Sequence, residues 1–544
     1  MQRHIPPRLK RGLQTGLALL FGASLTVQAA KPIIHDAEHA VLQAQNGQTW
    51  AQQDKALDQR LAQLEKRFGT PPNIIHIMWD DAGYGQLGNP HFSKMHGLDT
   101  PRIEQLAEEG LSFVRMYTEI ACTQSRAAAQ TGRLAARSGM YKVVFPPDGM
   151  GLADEEVTIA EVMSQSGYQT AFYGKWHLGD IEESYAHKQG YDEALFMPYN
   201  QWPPMMYNAE AEEQGWTWGF TPDTINARFS KDSSFRYYDY VFSVEGKKGG
   251  KAREFVRGDH DGYDQFNNVV YQRSLDFIRK NAKAGKPFYL SWYPNEPHDY
   301  GRHENYENVG RGDRYASGFK KFDRRIGKLL DLLQELGIAE NTLVVLMADN
   351  GPMTEVKPNV SINSLFRGGK GDFLEGGVRV PAFAWWPGTI KADSVVGDII
   401  HITDLFTTFA RLGGATKYIP RDRVIDGVDQ TALLLNGEGN SRRDYIHIYR
   451  GPYLAATVKE QFKRHWAGER PGLMGKEFFD LYKDPREEHP VMAQMLWSWT
   501  AFDKMKHRHQ QQLRQYPLRK PVVDTPVAGI DRLEGGSGYI AGAQ

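Results

Sequence analysis

From Asn73 onward, short apolar runs alternate with polar segments that carry helix-start signals. That alternation predicts an α/β sheet with helices on its faces. Residues 74–78, 111–117, 168–173, 287–292 and 342–347 read as strands. Thr100-Pro101 opens a helix that ends at Gly110, and Thr158 with Glu161 forms a capping box for one stopped at Gly167. Phe319, Phe322, Ile326, Leu329, Leu333 and Leu336 line one helix face ending at Gly337. Ahead of the sheet, Leu57, Leu61, Leu64 and Phe68 recur at helical spacing up to Gly69-Thr70-Pro71-Pro72, a packing helix without chemistry.

The pattern divides the chain into 1–29, a helical extension at 30–72, a large sheet domain at 73–414, and a smaller α+β subdomain at 415–544. Within the large domain, residues 199–262 break the rhythm, with Trp202, Trp216, Trp218, Tyr237, Tyr238 and Tyr240 among Pro, Gly and charged residues. Such a long excursion from a sheet is often functional. No internal repeat is present.

Charge adds an exclusion. Lys and Arg total 65 against 66 Asp and Glu, a formal net charge of −1, so no global field gathers nucleic acid or an anionic membrane. Residues 1–29 have the parts of a secretory signal: Arg3, Arg8, Lys10 and Arg11, an apolar stretch around Leu17 to Leu25, and a small-residue cleavage site at Val27-Gln28-Ala29. The mature chain is expected to begin near Ala30, periplasmic or secreted, without a membrane span. Cys122 is the only cysteine, so no internal disulfide can form, and an odd thiol in an exported chain needs an explanation.

Candidate chemistry lies where strands end. Residues 74–78 lead into Asp80-Asp81, and 342–347 lead into Asp349-Asn350; in open α/β sheets ligands bind at the carboxyl ends of strands. Three carboxylates brought together repel, and a divalent cation removes that cost; an oxygen-rich set suits Ca²⁺ or Mg²⁺ over zinc. Cys122-Thr123-Gln124-Ser125-Arg126 follows another strand and opens an Ala-rich segment. If helical, it puts Cys122 and Arg126 on one face at an N-terminus that attracts anions. Lys175 and His177 follow a further strand, two apart, so in extended chain they point the same way. His298 lies just beyond the strand at 287–292, and Lys370 lies in the Gly-rich run 367–371. Arg126, Lys175 and Lys370 make an oxyanion clamp, with two imidazoles for proton transfer, which suits displacement at tetrahedral phosphorus or sulfur.

These segments resemble the sulfatase family of the alkaline-phosphatase superfamily. The matching stretches are Trp79-Asp80-Asp81-Ala82-Gly83-Tyr84-Gly85, the cysteine motif, Gly174-Lys175-Trp176-His177-Leu178-Gly179, Ala348-Asp349-Asn350-Gly351, and Lys370 through Glu375-Gly376-Gly377-Val378-Arg379-Val380-Pro381. They occur in the family's order over about 73–414, and Asp480-Leu481-Tyr482-Lys483-Asp484-Pro485 resembles its C-terminal signature. The resemblance implies a large mixed, mostly parallel sheet sandwiched by helices. It also implies hydrolysis of a small-molecule or glycan sulfate ester by the hydrate of a formylglycine (3-oxoalanine) made from Cys122 by an installing enzyme. Ca²⁺, in preference to Mg²⁺, would be held by Asp80, Asp81, Asp349, Asn350 and residue 122. Asp349 would assist the nucleophile, His298 or Lys370 would protonate the departing alcohol, His177 would take a proton to release sulfate, and Arg126 and Lys175 would hold the nucleophile and the sulfate oxygens.

One departure stands out: the family motif is Cys/Ser-x-Pro-x-Arg, and Gln124 occupies the Pro position. Pro is part of what the installing enzyme reads. Two other readings share these residues: a phosphate mono- or diester hydrolase of the same superfamily, where Ser or Thr usually replaces the cysteine, and a periplasmic binder of sulfated ligands whose Cys122 stays a thiol.

Overall fold

Eleven strands build the main sheet, in the spatial order β11-β2-β10-β9-β1-β8-β4-β5-β6-β7-β17. In chain order they are β1 (Asn73–Trp79), β2 (Leu111–Tyr117), β4 (Gln169–Lys175), β5 (Glu193–Met197), β6 (Val244–Lys247), β7 (Ala252–Glu254), β8 (Phe288–Tyr293), β9 (Thr342–Ala348), β10 (Arg379–Trp385), β11 (Ser394–His401) and β17 (Ile530–Asp531). The computed structural model describes residues 31–145, 148–201, 241–258, 260–298, 314–354, 364–467, 478–491 and 496–533. The expected signal at 1–29 and most of the aromatic excursion lie outside them. The chain divides into Met1–Pro32 and Ile33–Gln544, and the architecture is that of the second unit.

β1, β8, β9 and β10 are buried along their whole length, the consequence of apolar runs with helices over both faces of the sheet. The centre is parallel: β9, β1, β8, β4 and β5 run the same way, with Trp79 opposite Ala348 and with Trp292 opposite both Ile77 and Tyr173. β10 runs antiparallel to both β9 and β2, so β2 also shares their direction. β11 is parallel to β2, so seven carboxyl ends, those of β1, β2, β4, β5, β8, β9 and β11, open on one edge of the sheet.

The helices follow their signals closely. Thr158 Oγ1 accepts from the Glu161 amide at 3.2 Å and the Glu161 carboxylate accepts from the Thr158 amide at 2.7 Å, both halves of the capping box. The helix Ala37–Phe68 begins well before Leu57, capped by Asp36, which accepts from Glu38 N, and ends at left-handed Gly69. On the helix Arg314–Glu335, Phe319, Phe322, Ile326, Leu329 and Leu333 are buried but Leu336 is 36% exposed. Leu336 lies one residue past the end of this helix, where the chain turns at left-handed Gly337.

Beyond Gly414 the chain builds a four-stranded antiparallel sheet, β12 (Tyr445–Arg450), β13 (Tyr453–Lys459), β14 (Phe462–His465) and β15 (Phe478–Asp480), and a helix Leu496–Gln515. It then returns: β16 (Val522–Val523) pairs with β3 (Met150–Gly151), and β17 joins β7 in the main sheet. Among the described residues no helix is long and apolar enough to cross a membrane.

Candidate active site

The strand ends bring together all ten candidate residues. Asp80 and Asp81 follow β1, and Asp349 and Asn350 follow β9 in the next register positions. The turn is tied shut on both sides: the Asp81 amide donates to Asp349 Oδ1 at 3.1 Å, and the Asp349 amide donates to Trp79 O at 3.0 Å. Asn350 Nδ2 donates to Asp81 Oδ1 at 2.7 Å. Asp81 is left-handed, with φ 53°, a conformation aspartate tolerates better than most residues.

Cys122 is the first residue of the helix Cys122–Thr131, whose every residue is buried. The helix ends at Gly132, φ 66°, where a Cβ would stand 2.6 Å from the Phe406 ring, so only glycine lets the helix Asp404–Leu412 close over it. The Cys122 sulfur and the nearest Asp80 and Asp349 oxygens lie within 4.8 Å of one another, as do donor atoms of Asp80, Asp81 and His298. His298 Nε2 stands 3.7 Å from Asp80 Oδ2 and 3.5 Å from Asp81 Oδ2.

Three cationic side chains face the three carboxylates. Arg126 reaches Asp349 Oδ2 at 2.8 and 3.1 Å, lies 3.5 Å from Asp80 Oδ1, and donates to Lys175 O at 2.5 Å. Lys175 Nζ donates to Asp80 Oδ1 at 2.6 Å, and Lys370 Nζ bridges both Asp81 oxygens at 2.7 and 2.9 Å. The expectation that these carboxylates need a cation for charge balance therefore gives way: Arg126, Lys175 and Lys370 balance them one for one. What points to a metal is the donor set itself. Asn350 Oδ1 is buried and accepts no hydrogen bond, an oxygen held beside three carboxylates without a donor. The residues fit an oxygen-preferring cation.

Burial is the first influence on each of these groups, and their partners decide the outcome. Lys175, then Lys370, overcome burial at Asp80 and hold its carboxyl well below the usual range. Burial, with the Asp80 charge next, pushes Asp349 up to about 7. Burial raises the Cys122 thiol against the pull of Lys175 and Lys370, so the sulfur stays protonated and is a poor nucleophile.

His177 corrects an expectation. It does not continue β4 as extended chain: its φ is 54°, so strand alternation with Lys175 is not what aims it. The Nε2 atom faces Val144 O at 3.0 Å, which requires the proton there, and leaves buried Nδ1 as a bare lone pair. Burial, then Lys175 and Arg126, holds the ring well below its usual range, hence neutral.

Sequence reasoning missed Gln201, whose Nε2 donates to Asp80 Oδ2 at 3.1 Å, and Tyr293, whose ring lies 5.4 Å from the Arg126 guanidinium. Gln201 carries no motif. Tyr293 ends β8, one residue past the strand read at 287–292, and that place beside a strand end was the available signal.

Comparison with known proteins bears on the same residues. The sulfatase family model matches residues 72–415. N-acetylgalactosamine-6-sulfatase of Canis lupus familiaris is 34% identical over 444 residues, 77% of this chain and 78% of that protein. Arylsulfatase A of Homo sapiens is 34% identical over 470 residues, 78% and 84% of the two chains. The crystal structure of the PsFucS1 sulfatase from Pseudoalteromonas sp. superposes with a TM-score of 0.78 at 29% identity, covering 87% of this chain and 96% of that one. With its motifs gathered at one sheet edge and its likeness running through most of both relatives, the chain belongs to the sulfatase family, enzymes that hydrolyse sulfate esters.

Proposed function

We propose that this sulfatase works through a formylglycine made from Cys122, with Ca²⁺ held by Asp80, Asp81, Asp349, Asn350 and residue 122. The observation that carries the reading is a solitary, buried, protonated thiol at a helix N-terminus, within 4.8 Å of the Asp80 and Asp349 oxygens. A thiol so placed is inert as it stands, and its position suits a residue kept for conversion. Hydrated, the aldehyde supplies an oxygen nucleophile carrying a second hydroxyl. The cation supplies positive charge toward the sulfate oxygens.

The protein's own groups take the remaining roles. Neutral His177, with its lone pair at Nδ1, accepts a proton when sulfate is released. His298 and Lys370, both beside Asp81, offer protons to the departing alcohol. Arg126 and Lys175 counter the charges of Asp349 and Asp80, which would otherwise repel an incoming sulfate. The reading includes export after cleavage near Ala30, maturation by an installing enzyme, and a catalytic domain over 73–414 followed by a subdomain at 415–544. The named relatives act on a sugar sulfate and on aryl sulfates, so sulfated glycans and small aryl sulfates are the substrates to offer.

Gln124 is compatible with this maturation. It is the third residue of its helix, where the amide has no intrahelical acceptor, so proline fits there as well. Its side chain donates to Tyr141 O at 3.1 Å. Mass spectrometry of the peptide carrying residue 122, run beside turnover of an aryl sulfate, tests the reading: specific activity should track the aldehyde fraction, and Gln124→Pro should raise both in a foreign host. Full turnover by protein that holds only thiol would overturn it.

A further inference from the structure

The segment 480–487 includes the C-terminal signature. Its last member reaches the site at one remove. Glu487 Oε1 accepts from the backbone amide of Glu375 at 2.6 Å and from Lys463 Nζ at 3.2 Å, and its other oxygen meets His465 Nε2. Lys463, on β14, also donates to Glu375 Oε1 at 3.1 Å. Glu375 Oε2 accepts from Tyr117 OH at 2.9 Å, and Tyr117 ends β2, the strand that leads to Cys122. Glu375, Lys463 and Glu487 are 0, 0 and 1% exposed.

The loop gripped in this way carries Lys370. It is pinned at three further points: Lys370 N donates to Pro352 O at 2.8 Å, Gly371 N to Ile120 O at 2.6 Å, and Gly376 N to Arg367 O at 2.9 Å. Phe373 packs edge-on against His465 with ring centres 5.0 Å apart. One buried hub thus joins the nucleophile's strand, the lysine's loop and the C-terminal sheet.

Stability is a weak reason for such a hub. Burying two carboxylates and an ammonium costs desolvation that an apolar cluster would avoid, and apolar residues already surround the group: Tyr117, Val378, Phe479 and Leu481. Fixed geometry is what the ions add. We propose that Glu487 and Lys463 are positioning residues for catalysis, holding the 364–378 loop so that Lys370 stays aimed at the Asp81 and Cys122 edge of the site. The inference rests on Lys370 having the role assigned above.

Kinetics of the full-length, cation-loaded enzyme test it. Glu487→Gln should lower kcat on the order of tenfold or more with KM nearly unchanged, since small misplacements of a reacting group are costly. In a Lys370→Gln background, the same substitution should cause little further loss; additive losses would mean that Glu487 does not act through Lys370. Phe502→Leu, in the separate apolar cluster of the C-terminal sheet, should lower the melting temperature and spare kcat. An equal kcat loss there would reduce the hub to general stability. Should Glu487→Gln fold poorly, the combination Lys463→Met, Glu375→Gln and Glu487→Gln removes both carboxylates and the ammonium of the hub and leaves Arg379 stacked over the Tyr84 and Phe366 rings, and wild-type kcat in it would overturn the proposal. Lys370→Gln with undiminished turnover would instead overturn the assignment of Lys370, and this inference with it.

Discussion

Two buried aspartates in this chain experience opposite fates. Asp36 meets His509 Nδ1 at 2.6 Å and Arg137 at 3.3 Å, with His447 Nε2 3.8 Å away, and it caps the helix Ala37–Phe68. Burial opposes its ionisation, but His509, then His447 and Arg137, holds it well below the usual range. Asp349 is equally buried and is pushed up to about 7, because its Arg126 is shared with Asp80 and the neighbouring carboxylates work against it. Identical chemistry is thus settled in one place and contested in the other. The settled cluster joins the first described helix, β12 and the last long helix; the contested one keeps an unclaimed oxygen on Asn350 and lies at the strand ends where ligands bind.

The contrast breaks most sharply at Asp36. Asp36→Asn should cost about 3–5 kcal/mol of unfolding free energy, the scale for removing one member of a buried ion pair, while kcat per folded molecule stays put. Urea unfolding followed beside turnover checks both halves. The pH dependence has a definite sign: the folded pKa is depressed, so this stability is complete above the unfolded value near 3.8 and is lost as pH falls below it toward the folded value. Wild type should therefore lose its advantage over Asp36→Asn in acid. Loss of turnover with unchanged unfolding would reverse the roles given to the two clusters.

Asp349→Asn should behave the other way. Turnover should fall on the order of a hundredfold or more, while chelator-treated protein keeps its urea midpoint near pH 6, below the Asp349 pKa of about 7, where the native carboxyl is mostly protonated. A large drop in midpoint would mean that Asp349 is as settled as Asp36.

The smallest effect sharpens the contrast. Cation binding displaces the Asp349 proton, so Ca²⁺ affinity should rise with pH by up to about tenfold per unit below 7 and level off above it. In cation-free protein the same raised pKa contributes stability that is present below about 4 and lost as pH rises through about 7. Calorimetric titration in buffers of different ionisation enthalpy reads the released proton. Affinity flat from pH 6 to 8 would remove Asp349 from the cation site.

The central strands were legible because they are buried on both faces and so read as unbroken apolar runs; β2 was bounded to the residue, and β1, β8 and β9 to within one or two. The site's residues were legible because strand ends put them in order along the chain. Local pattern failed where tertiary contacts decide. His177 is aimed by a left-handed backbone that no alternation reveals. The first half of the helix Ala37–Phe68 offers only Leu42 and Trp50 to the core among polar residues, too few to show a period. Asp36, His447 and His509 lie too far apart in sequence to form a motif, and the hub of Glu375, Lys463 and Glu487 had one visible member, Glu375 within a family motif, and no visible purpose.

The burial of Cys122 sets a deadline, and the order of strands extends it. Once folded, residue 122 is closed to any modifying enzyme, with 0% of its surface exposed. Yet β2, which leads into it, is flanked only by β10 and β11, and its helix is covered by Asp404–Leu412, all of which are synthesised more than 250 residues later. At about 5–20 residues per second, that delay is roughly 13–50 s during which β2 lacks both neighbours. A motif that is read slowly, as one with Gln124 in place of Pro would be, is served by a topology that seals it last.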